Sequence, residues 1–209
     1  MTGGDVAGGG VNAGGIKIGR PSVPDMDRMV RLAADAELTY DFVGSTLHPD
    51  AWPQRSAHCE QVELGRGEAC FAAAIAGLRD WVCQQGIGAV VHPADAPLVV
   101  GSNLIVVLPA GPFSIVVPDR VVEVVDEPRR FGFAYGTLDG HQERGEESFL
   151  IEHLDHDTVR ATIRVDAHAA TVAARLAAPV VGMIQRRALR GYLKALQTHV
   201  RAATEETQP

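Results

Sequence analysis

Six strand-like segments between residues 89 and 165, separated by short polar links, constrain this fold more than any other feature of the chain. The segments are rich in Val, Ile, Leu and Phe and comprise Ala89–Val91, Leu98–Leu108, Phe113–Val125, Phe131–Tyr135, Ser148–Leu154 and Thr158–Val165. Because most of the links are too short for a crossover helix, each strand should pair antiparallel with the next. In the last segment Val159, Ala161 and Ile163 alternate with polar residues, which predicts one face on a core and one in water.

Helical patterns precede and follow these segments. After a first strand, His58–Leu64, a helix repeats apolar residues at the spacing of one face until Gly86 stops it; these residues are Phe71, Ile75, Leu78 and Val82. From about Ala167 to Ala203 we predict a long closing helix that Pro179 kinks or restarts. Its apolar stripe comprises an earlier set, Val172, Leu176, Val180 and Met183, and a later set, Leu189, Leu193, Leu196 and Val200. Both helices should bury these stripes against the sheet.

The N-terminal region differs in composition from the rest of the chain. Residues 1–24 are rich in Gly and poor in apolar side chains, so we expect this extension to be disordered. Residues 25–36 predict a short helix whose apolar face must dock for the helix to persist; this face comprises Met26, Met29, Val30 and Ala33. Residues 37–203 are then expected to form a single domain, followed by a polar tail at 204–209.

Charge and cysteine content argue against several functions. A formal net charge of -7 argues against binding to nucleic acid or to anionic lipid, because both interactions rely on an excess of Lys and Arg. No apolar run approaches the roughly 20 residues of a membrane helix, and the first residues lack the pattern of a signal peptide, so we expect a cytoplasmic protein. Cys59, Cys70 and Cys83 have no C-x-x-C spacing, which favours reduced thiols over disulfides or zinc ligands. We predict neither a metal nor a cofactor.

The richest concentration of reactive side chains lies in Phe131–Ile151, which reads as strand, polar turn and strand. The connection is longer than the roughly 2–5 residues of a usual hairpin loop, and such loops are often functional. It carries Thr137, Asp139, His141, Glu143, Arg144, Glu146 and Glu147. This hairpin is therefore the candidate site.

Several motifs along the chain resemble one known family. They are Leu38-Thr39-Tyr40-Asp41, Gly65-Arg66-Gly67-Glu68, and the run from Phe131 to Glu147 with Gly136-Thr137-Leu138, Gly140-His141 and Gly145-Glu146-Glu147. Together they resemble a family known only as a domain of unknown function, number nineteen-ninety, within the START and pollen-allergen-like helix-grip superfamily. The resemblance runs from about Leu38 to Leu196. It implies an α+β fold in which a curved antiparallel sheet of about seven strands wraps around a long C-terminal helix. It also implies an apolar cavity between the two, with Gly136–Glu147 at its rim.

The residues of the hairpin allow two interpretations. His141 is a candidate catalytic base, with Glu146 or Glu147 as the carboxylate that orients it. Four further residues are candidate ligand contacts: Tyr40, Tyr135, Thr137 and Asp139. Alternatively, these groups only satisfy loop backbone and a strand end. His153, Asp155, His156 and Asp157 form a second polar group, which suits a tight turn better than a metal site.

Three functions follow from this pattern. The leading one is binding of a hydrophobic or amphipathic small molecule in the cavity. The second is a cofactor-independent enzyme, of cyclase, dehydratase or hydrolase type, that uses His141 with Glu146 or Glu147. The third is a protein-interaction module that uses the N-terminal extension and a basic helix stripe, Arg186, Arg190 and Lys194, although a solvated face explains the stripe better. The sequence leaves the ligand and the oligomeric state open.

Overall fold

The computed structural model describes residues 14–52, 54–55, 57–169 and 178–205, with side chains in the same ranges except at 178–185. An antiparallel sheet is built from β1 (Gly15–Ile18), β2 (His58–Arg66), β3 (Val90–His92), β4 (Asn103–Ala110), β5 (Phe113–Glu127), β6 (Arg130–Thr137), β7 (Glu143–His153) and β8 (Thr158–Ala169). The α-helices of these ranges are α1 (Val23–Ala34), α2 (Gly67–Arg79), α3 (Val82–Gly86) and α4 (Ala178–Glu205).

The strand order is β2-β8-β7-β6-β5-β4-β3, so that the strands from β3 to β8 pair consecutively and β2 closes the far edge. Phe133 lies opposite Phe149, and Tyr135 lies opposite Glu147. Register shifts after Glu63 and after Val121 mark bulges, which bend a sheet. The predicted α+β helix-grip fold, with its curved antiparallel sheet, is confirmed.

One face of the sheet carries the main core and packs against α2, α3 and α4; we call it the inner face. Phe133 and Phe149 stack on it with ring centroids 5.1 Å apart, and the Trp81 ring lies edge-on at 5.3 Å from Phe133. All members of the later stripe predicted for the closing helix are buried, namely Leu189, Leu193, Leu196 and Val200. Tyr192 joins them, 5.6 Å from Phe149.

The second helix is interrupted where we predicted one continuous helix up to Gly86. Trp81 adopts left-handed backbone angles (φ 56°) between the end of α2 and the start of α3. This turn buries the indole fully, and its Nε1 donates a hydrogen bond to the Ala96 carbonyl at 3.1 Å. Burial of the largest side chain thus prevails over helix continuity.

Both ends of the chain differ from expectation. Gly15–Ile18 lies in the segment expected to be disordered but pairs as β1 with Phe113–Val116 of β5. Backbone pairing holds this strand, since the Ile16 and Ile18 side chains are 66% and 88% exposed. Residues 1–13 lie outside the described ranges.

The closing helix also begins later than predicted. Strand β8 continues through Ala167 to Ala169 because these residues pair with the first residues of β7. The described part of α4 begins at Ala178. The earlier stripe predicted for this helix, Val172, Leu176, Val180 and Met183, lies outside the residues whose side chains the structure describes, as does Pro179. Among the described helices, none is both long and apolar enough to cross a membrane.

Helix α1 docks on the opposite, outer face of the sheet, as its apolar pattern requires. Met26, Met29 and Ala33 are buried, with Val30 partly buried beside them. The two methionines pack against Ile105, Val107 and Val116 of strands β4 and β5. Ser22 caps the helix through a hydrogen bond from the Asp25 amide.

We expect Met29→Ala to lower the free energy of unfolding by about 2 kcal/mol, because it removes a buried side chain from the α1–sheet contact. Leu32→Ala is the matched control, since Leu32 lies on the same helix and is 42% exposed. It should change stability by about 0.5 kcal/mol or less. Urea unfolding of both variants measures the difference; equal losses would mean that α1 is not docked through Met29.

Candidate functional site

The hairpin of β6 and β7 presents its two neighbouring glutamates to opposite faces of the sheet. Strand residues alternate in direction, so Glu147 shares the inner face with Phe149 and Ile151. Glu146 points to the outer face. The structure therefore distinguishes Glu146 from Glu147, either of which the sequence allowed as the carboxylate that orients His141.

On the outer face, Glu146 anchors residues 40–46, the loop that precedes β2. Its carboxylate is 1% exposed and accepts hydrogen bonds from Tyr40 Oη at 3.0 Å, the Gly44 amide at 2.8 Å and the Thr46 amide at 3.0 Å. The Thr46 hydroxyl donates a further bond to it. Four donors on a buried carboxylate leave it saturated, which is the arrangement of a structural joint.

Two other predicted site residues also belong to this joint or to the turn. The Thr137 carbonyl accepts from the Thr39 amide at 3.0 Å, and its hydroxyl accepts from the Gly145 amide at 3.0 Å. Asp139 is exposed in the turn. Accordingly Tyr40, Thr137 and Glu146 fasten the hairpin to the outer loop and do not converge with His141.

On the inner face, five titratable side chains converge; we call Asp119, Tyr135, His141, Glu147 and Tyr192 the inner polar cluster. The Tyr135 hydroxyl donates a hydrogen bond to Glu147 Oε2, and Tyr192 interacts with both residues. Asp119 is 2% exposed and faces His141, with 3.8 Å between Asp119 Oδ1 and His141 Nε2. The structure thus brings His141, Glu147 and Tyr135 of the predicted set together.

Burial sets the protonation of this cluster. It lowers the pKa of His141 to about 4, so the imidazole is neutral at pH 7. His141 Nδ1 accepts from the Glu143 amide at 2.8 Å, which leaves the hydrogen of the neutral ring on Nε2, toward Asp119. Burial also raises the pKa of Glu147 to about 7, partly opposed by the Tyr135 hydrogen bond. The pKa of Asp119 is raised by burial and then by the charges of Glu147 and Glu143.

Sequence reasoning missed Asp119 and Tyr192. Asp119 interrupts an apolar run in β5, where it alternates with Val117 and Val121, two residues of the inner face. That alternation was the available signal. Tyr192 lies next to Leu193 in the buried stripe of α4, and only the packing of helix on sheet brings it to the cluster.

The remaining sequence candidates lie apart from the cluster. His153 Nε2 lies 2.7 Å from Asp157 Oδ1, and the His153 ring stacks on Phe71 at 5.6 Å. Among the described residues no group of three or more His, Cys, Asp or Glu is placed to hold a metal ion. The basic stripe Arg186, Arg190 and Lys194 is exposed on α4.

Two surface hollows also lie away from the cluster. A groove of about 590 Å³ runs between α3 and α4, with Gln85, Lys194 and His199 among its lining residues. A recess of about 400 Å³ lies beside Tyr40 and Arg144. Neither hollow is lined by a residue of the inner polar cluster, so access to the cluster has to come from another direction or from a local opening.

Comparisons with known proteins agree with the resemblance seen in the sequence. The profile of the family described as Domain of unknown function (DUF1990) matches residues 39–195. A UPF0548 protein of Deinococcus radiodurans is 37% identical over 183 residues, which cover 80% of this chain and 86% of that protein. A UPF0548 protein of Dictyostelium discoideum is 31% identical over 97 residues, 44% of this chain and 45% of the relative.

Solved structures were also found to be similar. A hypothetical protein from Helicobacter pylori has a TM-score of 0.54 at 16% identity and covers 78% of this chain and 96% of its own. A START superfamily protein from Mycobacterium smegmatis has a TM-score of 0.49 at 15% identity, covering 70% of this chain and 97% of its own. At 16% identity the likeness to the Helicobacter pylori protein concerns the fold alone.

Proposed function

This chain belongs to the family described as Domain of unknown function (DUF1990), and from its helix-grip fold we propose that it binds a small amphipathic molecule between the inner face and the helices. In this proposal the polar end of the ligand meets the inner polar cluster. Its apolar part lies against the aromatic rings of Phe133 and Phe149. Opening of the helical layer admits the ligand.

The observation that carries this proposal is the inner polar cluster itself. The surrounding inner face is apolar, and a core built only for stability favours apolar side chains at such positions. Instead, two carboxyl groups, an imidazole and two phenols meet there. A few convergent polar groups beside an apolar wall are the usual composition of a small-molecule site.

Trp81 provides a direct test because its indole lies 5.3 Å from Phe133. The chain has two tryptophans, so Trp52→Phe leaves Trp81 as the sole indole reporter. We expect 1-octanol to change its fluorescence saturably, and native mass spectrometry of mildly purified protein to show a retained apolar adduct. A strictly linear response to 1-octanol together with an adduct-free spectrum would contradict the proposal.

Glu147 favours catalysis as a second candidate function. A carboxyl group with a pKa of about 7 can both accept and donate a proton at neutral pH, and the Tyr135 hydroxyl fixes its orientation. His141, neutral and with its Nε2 hydrogen toward Asp119, then acts as a hydrogen-bond donor. This reading moves the proton-transfer role from His141 to Glu147, within the same cyclase, dehydratase or hydrolase classes.

The retained adduct also distinguishes binding from catalysis. The identified molecule is incubated with the native protein and with Glu147→Gln, which keeps the side-chain shape but cannot transfer a proton. Conversion by the native protein alone supports catalysis. Recovery of the unchanged molecule from both proteins supports binding.

A further inference from the structure

Asp119 has an unused hydrogen-bonding site inside the protein. Its Oδ1 atom is buried and has no hydrogen-bond partner among the residues that the structure describes. His141 Nε2 lies 3.8 Å from this atom, beyond hydrogen-bonding distance. A buried acceptor without a donor is costly, so a ligand donor that reached this atom would remove that cost.

The electrostatic surroundings specify the charge of that donor. Glu147 and Glu143 are the charges that raise the pKa of Asp119, and both are acidic. His141 adds no positive charge at pH 7, since burial lowers its pKa to about 4. Within the described ranges, no Lys or Arg forms an ion pair with Asp119 or Glu147. Among the described residues, a cation that reaches Asp119 and Glu147 therefore meets two carboxyl groups that have no Lys or Arg partner.

The strand register places Asp119 and Glu147 on β5 and β7, the two strands that flank Tyr135 of β6. Asp119 pairs with Thr137 at the end of β6, while Tyr135, two residues earlier, pairs with Glu147 of β7. Tyr192 completes the surroundings from α4. An ammonium group accepts no hydrogen bond and donates up to three. Carboxylates that accept these bonds, together with phenol rings that attract a cation, are therefore a favourable environment for it.

We propose that the polar end of the ligand is a primary or secondary ammonium group that donates hydrogen bonds to Asp119 and Glu147. The inference rests on the proposed function and specifies its ligand as an amphipathic amine. The amine binds without covalent change, with its alkyl part toward Phe149 and its nitrogen at the cluster.

Four probes of equal chain length separate charge, donor capacity and apolar contact. These probes are n-octylamine, octyltrimethylammonium, 1-octanol and octanoate, titrated at pH 8 below their micelle-forming concentrations with Trp81 fluorescence or calorimetry as the readout. We expect octylamine to bind roughly tenfold tighter than octanol, the equivalent of one good hydrogen-bonded charge pair. Octyltrimethylammonium should bind more weakly than octylamine because it has no N–H, and octanoate should bind most weakly.

Variants assign the preference to Asp119. In Asp119→Asn the ratio of octylamine to octanol affinity should fall to about one-tenth of its native value. Asp126→Asn is the matched control: it removes one acidic charge from the same strand at a side chain that is 70% exposed, and it should keep the ratio. If circular dichroism shows that Asp119→Asn does not fold, Glu147→Gln serves instead and should also reduce the ratio.

Each outcome has a distinct meaning. Equal affinities for octylamine and octanol would overturn the amine inference and leave the binding function standing. Absence of saturable binding by all four probes would overturn the binding function itself. An unchanged ratio in Asp119→Asn would overturn the assignment to Asp119.

Discussion

Glu146→Gln is expected to lower the free energy of unfolding by about 3 to 5 kcal/mol. An amide at this position retains one acceptor oxygen but turns an NH₂ group toward the Gly44 or Thr46 amide. Donors would then face donors in a buried site, and the bonds to a negative charge would be lost. The Tyr40–Thr46 loop should detach from the outer face as a result.

Glu147→Gln, at the next position, is the matched control with the opposite expected sign. The pKa of Glu147 is about 7 in the folded protein against an ordinary value of 4.5, so its ionisation disfavours the folded state. The free energy of unfolding is therefore unaffected by this group below about pH 4.5, falls as the pH rises from about 4.5 to about 7, and levels off above that. At pH 8 the variant should be more stable than the native protein by on the order of 2 kcal/mol, and at pH 5 the gain should be small.

Urea unfolding followed by circular dichroism at pH 5 and pH 8 measures both glutamate variants. The comparison holds residue type, strand and substitution constant, so that only the face of the sheet differs. Similar losses for Glu146→Gln and Glu147→Gln at pH 8 would contradict the difference between a hydrogen-bonded carboxylate that stabilises the outer face and a carboxylate whose ionisation disfavours folding on the inner face.

Gly136→Ala is expected to cost about 3 kcal/mol, because a Cβ atom at this position would lie 2.0 Å from Tyr40 Oη and 2.6 Å from Tyr40 Cε1. The Tyr40 ring would have to leave, which would break its bond to Glu146 and its contact with Phe42 at 4.8 Å between centroids. The glycine is thus required by the tyrosine that lies over it.

A double-mutant cycle tests this origin of the loss. Tyr40→Ala removes the obstructing ring, so Gly136→Ala introduced into that background should cost less than about 1 kcal/mol. Both steps are measured by urea unfolding. Additive losses from the two substitutions would show that Gly136 is required for another reason, such as the backbone of β6.

The strands were predictable because their apolar alternation and short links leave few alternatives. Strand β1 was not, since backbone pairing with β5 holds it while Ile16 and Ile18 face solvent. The break between α2 and α3 escaped prediction because it depends on where the Trp81 indole finds space and a hydrogen-bond acceptor. Tertiary contacts decided both cases.

For the candidate site, the sequence located the hairpin but not its partners. His141, Glu147 and Tyr135 were identified because reactive side chains are dense along that short span. Asp119 lies on the neighbouring strand and Tyr192 on the closing helix, so only the pairing and packing of distant segments bring them in. The choice between Glu146 and Glu147 was available from the sequence, because counting by twos from Phe149 reaches Glu147 and not Glu146.

The outer-face joint has a mechanical consequence. Glu146 and Thr137 fasten the β6–β7 hairpin to residues 39–46 through several hydrogen bonds. Displacement of the hairpin would break these bonds, so we expect it to move less than an element without such contacts. If the protein binds a small molecule as proposed, the motion that exposes the inner face is therefore expected in the helices, and their packing should set the rates of ligand entry and release.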